Sequence, residues 1–323
     1  MSSSLEAAFE AGDPGAIAVA RARAYRLFAE LVAHGVTEAT RAHVLGFAEL
    51  AAALDAEGLG AADPGVLEAL AVEHERVLGR EVFPWASVYL DPTGQPGGEI
   101  TARCADRLAE LGFRADPGGA EADHLAVLLD GLAFASSAEA EAHRDGRPDV
   151  AQVAAEARGR LVAELLSPWF PLFRRAVERE GSAFITALLA LVGALLDGEA
   201  EATTPRGPTP DVELPDLATV MADPKAGLRA IAEHLAVPAR SGVVLSRSAI
   251  TELGRSVGLP RGFGSRRDQV EALLRGAAEH DQLPALVDRL VAVCDRAAEV
   301  AGDRARATRD GLLALRAAAP APD

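Results

Sequence analysis

A chain of 323 residues with 49% apolar content is too long and too hydrophobic to be a disordered segment; it can bury one large core and a smaller one. Its formal charge of −16 is uneven: residues 1–200 hold 16 Lys and Arg against 31 Asp and Glu (−15), and residues 201–323 hold 16 against 17 (−1). Such a first half repels nucleic acid and favours basic partners, or else it simply keeps the protein soluble.

Ala and Leu recur, aromatic residues are 4%, and no stretch alternates apolar and polar residues between hairpin turns, so the fold class is all-α. The opening MSSSLEAAFEAGDPG is acidic and lacks a basic segment followed by an apolar one. Residues 1–14 therefore read as a disordered N-terminus and not as a secretory leader. The first helix is expected over Pro14–His34, where Ile17, Ala20, Ala24, Leu27, Phe28 and Leu31 keep helical spacing. A second is expected over 37–57, and Asp63-Pro64-Gly65 opens a third that runs to Leu78. In the following EVFPWASVYLDPTGQPGG, Pro84, Pro92, Pro96 and Gly94, Gly97, Gly98 forbid a long helix. Helices over 99–112, 120–137, 148–167, 169–180 and 182–196 complete a domain of residues 15–197. The longest uncharged run, residues 181–196, falls short of the roughly 20 residues that span a bilayer and reads as a buried core helix. Residues 198–216 are rich in Pro, Thr, Gly and acid and read as a linker. A helical C-terminal region, 217–318, follows, with helices near 216–237, 246–257, 265–280, 282–300 and 302–318. The tail AAAPAPD reads as frayed.

A search for catalytic chemistry finds little. HExxH, GxSxG and Walker-type motifs are missing, Lys225 is the single lysine, and the seven histidines are scattered. Cys104 and Cys294 lie far apart, which suits a reducing compartment and gives neither a disulfide framework nor a zinc site. Glu73-His74 reads as an exposed helical face. Asp123 and His124 would suit a hydrolase only with a nucleophile, and none accompanies them, so no catalytic residue, cofactor or metal is expected. The segment 246–280 has the look of a helix–turn–helix, with Ser246 and Ser265 as N-caps, and a regulatory or nucleic-acid-binding role for it is the alternative reading. There, Arg247, Arg255, Arg261, Arg266 and Arg267 face Glu252, Asp268, Glu271 and Glu279, a balance short of a DNA reader's basic face.

Three segments depart from plain helical packing. Glu81 to Pro92 sets Trp85 and Tyr89 four residues apart beside a proline-stiffened turn. Their wide apolar faces with one polar tip suit a peptide side chain, and they equally suit a loop stapled to the core. Glu121 to Asp130 opens an apolar helix with acids at its dipole-positive end. Either His124 and Asp123 meet a peptide, or Asp123 caps the helix and His124 is satisfied within the fold. In Leu165 to Phe173, Pro168 suits a first helical turn, and Trp169, Leu172 and Phe173 form a core stripe.

Together and in this order, the segments resemble the TorD/DmsD/NarJ family of redox-enzyme maturation chaperones. Glu81 through Tyr89 matches the family's acid and proline–aromatic–(Glu)–Ser–Val–Tyr element, with Ala86 where Glu is frequent. Glu121 to Leu125 matches Glu-Pro-Asp-His-Leu, with Ala122 in place of Pro, and Trp169 to Phe173 matches Trp-x-Pro-x-Phe. Arg21 to Leu31, with Tyr25, is similar to the family's first helix. The likeness covers about residues 15–200; the C-terminal region lies outside it. The resemblance implies a TorD-like helical bundle with a helical extension that catalyses nothing and works in the cytoplasm. It would bind the twin-arginine signal peptide or N-terminus of a molybdopterin oxidoreductase catalytic subunit and hold that subunit for cofactor insertion before export or assembly. NarJ-type members serve a client that stays inside. The implied peptide site comprises Trp85, Ser87, Tyr89, Asp123 and His124, with Tyr25 as an outer member; Trp85 and Tyr89 would take apolar side chains and Asp123 positive charge. Without a phosphate loop, nucleotide binding is not expected. The 198–216 linker would permit segment exchange between subunits, so monomer and swapped dimer both stay open.

Overall fold

Asp13 starts the first helix: its carboxylate accepts from the Gly15 N–H at 3.0 Å, Pro14 supplies a fixed φ, and Gly35 closes the helix at φ 69°. This computed structural model describes residues 12–59, 65–115, 119–201, 214–260 and 262–318. Residues 1–11 of the expected disordered N-terminus, most of the linker and most of the AAAPAPD tail lie outside the described residues, while Asp13 and Pro14, placed in that N-terminus, cap and open the first helix instead. All regular elements within them are helical.

Helix α1 (Pro14–His34) has the predicted bounds. The single helix expected over 37–57 is two, α2 (Glu38–Val44) and α3 (Ala48–Ala56). Thr37 and Thr40 cap α2 reciprocally, and the break at 45–47 brings the Phe47 ring to 5.6 Å from Phe28. Helix α4 (Val66–His74) runs on into π-helical turns over Glu75–Glu81, with the Val82 N–H reaching back to the Val77 carbonyl at 2.8 Å. His74, expected on an exposed face, instead bonds through Nε2 to the Val32 carbonyl at 3.0 Å and ties α4 to α1.

The proline-rich segment holds one short helix, α5 (Ala86–Leu90), and α6 (Glu99–Glu110) begins after Gly98. Helix α7 (Leu125–Arg144) runs past 137 and starts five residues later than the predicted 120, because residues 122–123 turn and His124 bridges Trp85. Helix α8 (Pro148–Leu161) ends in a second π-helical stretch, Val162–Leu166, followed by α9 (Phe170–Glu178) and α10 (Ala183–Glu201). The C-terminal region comprises α11 (Leu217–Ala222), α12 (Leu228–Ala236), α13 (Pro238–Ser241), α14 (Arg247–Ser256), α15 (Arg266–Glu279), α16 (Leu283–Ala301) and α17 (Asp303–Ala318). Ser246 and Ser265 cap α14 and α15 as their positions predict.

Two hydrophobic cores result. In the first, α1 lies along α7, α8 returns against α7, and α10 packs on α3 and α9. Its centre is Phe28, Leu31, Leu128, Leu129, Trp169 and Phe173, all 1% exposed or less. By length and composition α10 could cross a membrane, but its Phe184, Ile185, Leu188, Leu189, Val192 and Leu196 lie in this core. At its edge the buried Arg158 pairs with Glu139 and, at 2.7 Å, with Glu199, while Arg21 bonds the same two acids at 3.2 and 3.0 Å. Burial works against the Arg158 charge, yet the two carboxylates outweigh it and hold the guanidinium above its ordinary pKa.

The second core gathers Leu217, Ile231, Leu235, Leu274, Leu286, Leu290 and Leu312. Inside it His234 Nε2 and Thr308 Oγ1 are 3.0 Å apart. Gly242 turns α13 toward α17 at φ 67°, and a Cβ there would stand 2.6 Å from the Ala305 backbone nitrogen. The cores meet through α9 and α16. Val244 of the second region sits in the first core, Leu172 touches both, and Arg175 pairs with Glu299 at 2.8 Å.

Candidate functional site

Residues 83–85 and 121–125 meet at a single antiparallel bridge. Trp85 and His124 form an antiparallel bridge, the Leu125 N–H donates to the Pro84 carbonyl at 2.8 Å, and the Ala86 N–H donates to the Asp123 carbonyl at 3.0 Å. The side chains then tie the joint. Asp123, wholly buried, accepts from the Ser87 N–H (3.0 Å), the Ser87 hydroxyl (2.5 Å) and the Thr101 hydroxyl (2.7 Å). Ser87 Oγ in turn accepts from the Gly97 N–H at 3.2 Å. One carboxylate thus fastens α5, the loop after it, α6 and the start of α7 to each other.

His124 caps α7: its Nδ1 accepts from the Ala126 N–H at 3.2 Å. That role needs a neutral ring, and burial lowers the His124 pKa to about 4 although the Asp123 charge pulls upward. The Trp85 ring stands edge-on to His124 at 4.7 Å and to Phe83 at 6.1 Å. Tyr89 stacks on Trp169, centroids 5.2 Å apart at 25°, and meets Phe173 edge-on. Burial raises the Tyr89 hydroxyl, the nearby Arg266 charge opposes that rise, and the oxygen has no hydrogen-bond partner among the described residues.

The structure therefore brings Trp85, Ser87, Asp123 and His124 together and sets Tyr89 on the adjoining turn. It does not make them an open, ring-lined groove. Ser87, Tyr89 and Asp123 are 3% exposed or less and His124 is 6% exposed; Trp85 is half-buried. Tyr25, read as an outer member, is buried beside Glu199, Arg158 and Arg21 instead. The cause is plain: Ser87 and Asp123 are each other's partners and Thr101 takes the second carboxylate oxygen, so neither has a free group for a peptide.

The half-buried edge of this joint holds two motif residues outside the expected peptide site, Glu81 and Phe83. Residues 240–266 lie across it. Arg240 Nε donates to the Pro92 carbonyl at 2.9 Å, and the Ser248 N–H donates to Glu81 Oε2 at 3.0 Å. The Ser248 hydroxyl is 2.8 Å from the Glu180 carboxylate, and Arg266 donates to the Glu81 carbonyl with its guanidinium 4.8 Å over the Phe83 ring. The segment that resembles a helix–turn–helix is thus α14 and α15 docked inward. Arg266 is spent on this contact, and Arg247 donates to the Gly264 carbonyl at 3.1 Å. An open hollow of about 290 Å³ lies elsewhere, between α6, α7 and α8, with Phe134 and Val153 on its wall. No group of three or more His, Cys, Asp or Glu is placed to hold a metal ion among the described residues.

The family model described as nitrate reductase delta subunit matches residues 37–175, a span that takes in all three motif segments. No curated protein and no solved structure matches the chain.

Proposed function

We propose that this chain, whose residues 37–175 belong to the nitrate reductase delta subunit family of molybdoenzyme maturation chaperones, holds the N-terminal peptide of a molybdenum-dependent oxidoreductase subunit until its cofactor is in place. The family's role is maturation of another protein and not catalysis. The observation that carries the reading is the joint itself: the family-matched stretch folds two distant motifs into one buried knot whose half-buried edge carries Glu81, Phe83 and Trp85.

The peptide would be cationic and partly apolar. The first 200 residues carry nearly all of the net negative charge, which draws in a basic leader from a distance and is weakened by salt. At the edge, Phe83 and Trp85 would take apolar side chains and the Glu81 carboxylate would orient an arginine. Ser87, Tyr89 and Asp123 act as positioning residues that fix this edge from behind, and His124 does so as the cap of α7. A twin-arginine leader is the expected ligand where the client is exported, and a plain N-terminus where it stays in the cytoplasm.

Calorimetric titration with a synthetic twin-arginine leader tests the reading. Binding in the micromolar range, about −8 kcal/mol, is expected, with Trp85→Ala weakening it about tenfold while the melting temperature stays near wild type. A scrambled peptide of the same composition that binds equally well refutes it.

A further inference from the structure

Arg266 has no carboxylate ion pair among the described residues, although it is mostly covered. It projects from the first turn of α15 onto the motif segment of the other region. There it meets a backbone carbonyl (Glu81), an aromatic face (Phe83) and the neighbourhood of a buried hydroxyl with no partner of its own (Tyr89). Burial lowers its pKa, and Tyr89, Glu81 and Glu180 oppose that only in part. All the receiving groups come from the first region, and all recognise a guanidinium by its shape and donors. None of them depends on anything peculiar to residue 266. In the sequence, moreover, Arg266 is the first of a consecutive arginine pair, Arg266-Arg267. The flanking contacts of Ser248 with Glu81 and Glu180, and of Arg240 with Pro92, spread the same cover over residues 81–92.

We propose that the Glu81 carbonyl and the Phe83 ring, beside the Tyr89 hydroxyl, form a seat for an arginine side chain that Arg266 fills in cis. An arginine of the client peptide takes the seat by displacing it. The C-terminal region is then a built-in competitor at the peptide edge, an inference that rests on the chaperone reading above. One guanidinium leaves as another enters, so the exchange is nearly balanced in the unmodified chain, and the seat adds little net affinity until Arg266 is removed.

Titrating the full chain and its Arg266→Ala variant with the same leader tests this, the leader's arginine pair being either intact or replaced by glutamine. The variant is expected to bind the intact leader about tenfold tighter than wild type, or ~1.4 kcal/mol, and to show no gain with the glutamine version. Phe83→Ala should erase the gain in the Arg266→Ala background and change the arginine preference little where Arg266 is present. Equal affinity of wild type and Arg266→Ala, with the leader still preferred over its scrambled form, overturns the cis occupant and leaves the chaperone reading intact. No preference for the leader in either protein overturns both. If Arg266→Ala does not fold, Arg266→Lys carries the same comparison: it keeps the charge, loses the planar stack and forked donors, and is expected to tighten binding to a smaller degree. An Arg266→Lys affinity equal to wild type counts against the proposal.

Discussion

Replacing Asp123 by alanine separates a knot from a contact residue. The change strips the acceptor from the Ser87 N–H, the Ser87 hydroxyl and the Thr101 hydroxyl at once. A buried donor left without a partner costs about 1–3 kcal/mol. The two hydroxyls can rotate toward other oxygens, whereas the Ser87 N–H cannot, so a total of about 3–4 kcal/mol follows for Asp123→Ala. Asp123→Asn keeps the volume and one acceptor oxygen for Ser87. Its amide then faces the Thr101 hydroxyl, which turns round to accept, and the cost falls to about 1–2 kcal/mol. At roughly 2–4 °C per kcal/mol for a domain of this size, alanine lowers the melting temperature by about 10 °C and asparagine by less than half of that. Circular-dichroism melts and urea titrations read the stability, and leader titration at a temperature where both variants are folded reads the binding. Folded Asp123→Asn should bind within about twofold of wild type. An alanine variant that melts within 2 °C of wild type, or an asparagine variant that melts normally yet loses the peptide, would refute the knot.

Acid should destabilise the chain in a defined window. Burial holds His124 and His234 at about 4, below the ordinary 6.5, so the unfolded chain takes up protons that the folded one refuses. The contribution, of order 3 kcal/mol per histidine, is complete above pH 6.5 and is lost as pH falls toward 4. His124→Asn, which keeps a cap acceptor, should flatten about half of that slope in urea midpoints measured across the window. Arg158→Ala leaves Glu139 and Glu199 buried with Arg21 as their remaining cation. A loss of about 3–5 kcal/mol is expected, and a shift below 1 kcal/mol in the urea midpoint would mean the network is solvated. Gly242→Ala places a methyl against the Ala305 backbone at a positive φ. It should destabilise the second core by about 2 kcal/mol or more, visible as faster amide exchange in α17, and unchanged exchange there would remove the packing argument.

Local chemistry made most helices legible. Pro14 and Gly35 bound α1, and Ser246 and Ser265 start α14 and α15, because caps and turn residues act within a few positions of themselves. The division of 37–57 was not legible, since it follows from Phe47 reaching Phe28 in another helix. Helices α5 and α13, of five and four residues, are too short to leave a periodic signal. The site shows the same split. Motif order picked out residues that the fold brings together, but whether Ser87 faces solvent or Asp123 depends on a partner 36 positions away. The contact between Arg266 and Glu81 spans 185 positions. In sequence, Arg266 is one base in a nearly neutral segment, and nothing there hints at an aromatic face beneath it.

Both loops that supply the Tyr89–Trp169 stack leave from π-helical turns, Glu75–Glu81 before one and Val162–Leu166 before the other. A turn closed at the fifth residue holds one residue more than the α-helix it interrupts. Winding the same residues as ordinary α-helix would turn the chain beyond them by about 100°, carrying the ring off its axis. Spacing from His74 to Tyr89, and from Leu161 to Trp169, is therefore a matter of phase. Substitutions that rewind either stretch as α-helix should therefore unstack the two rings, whereas those that keep the wide turn should leave the stack in place.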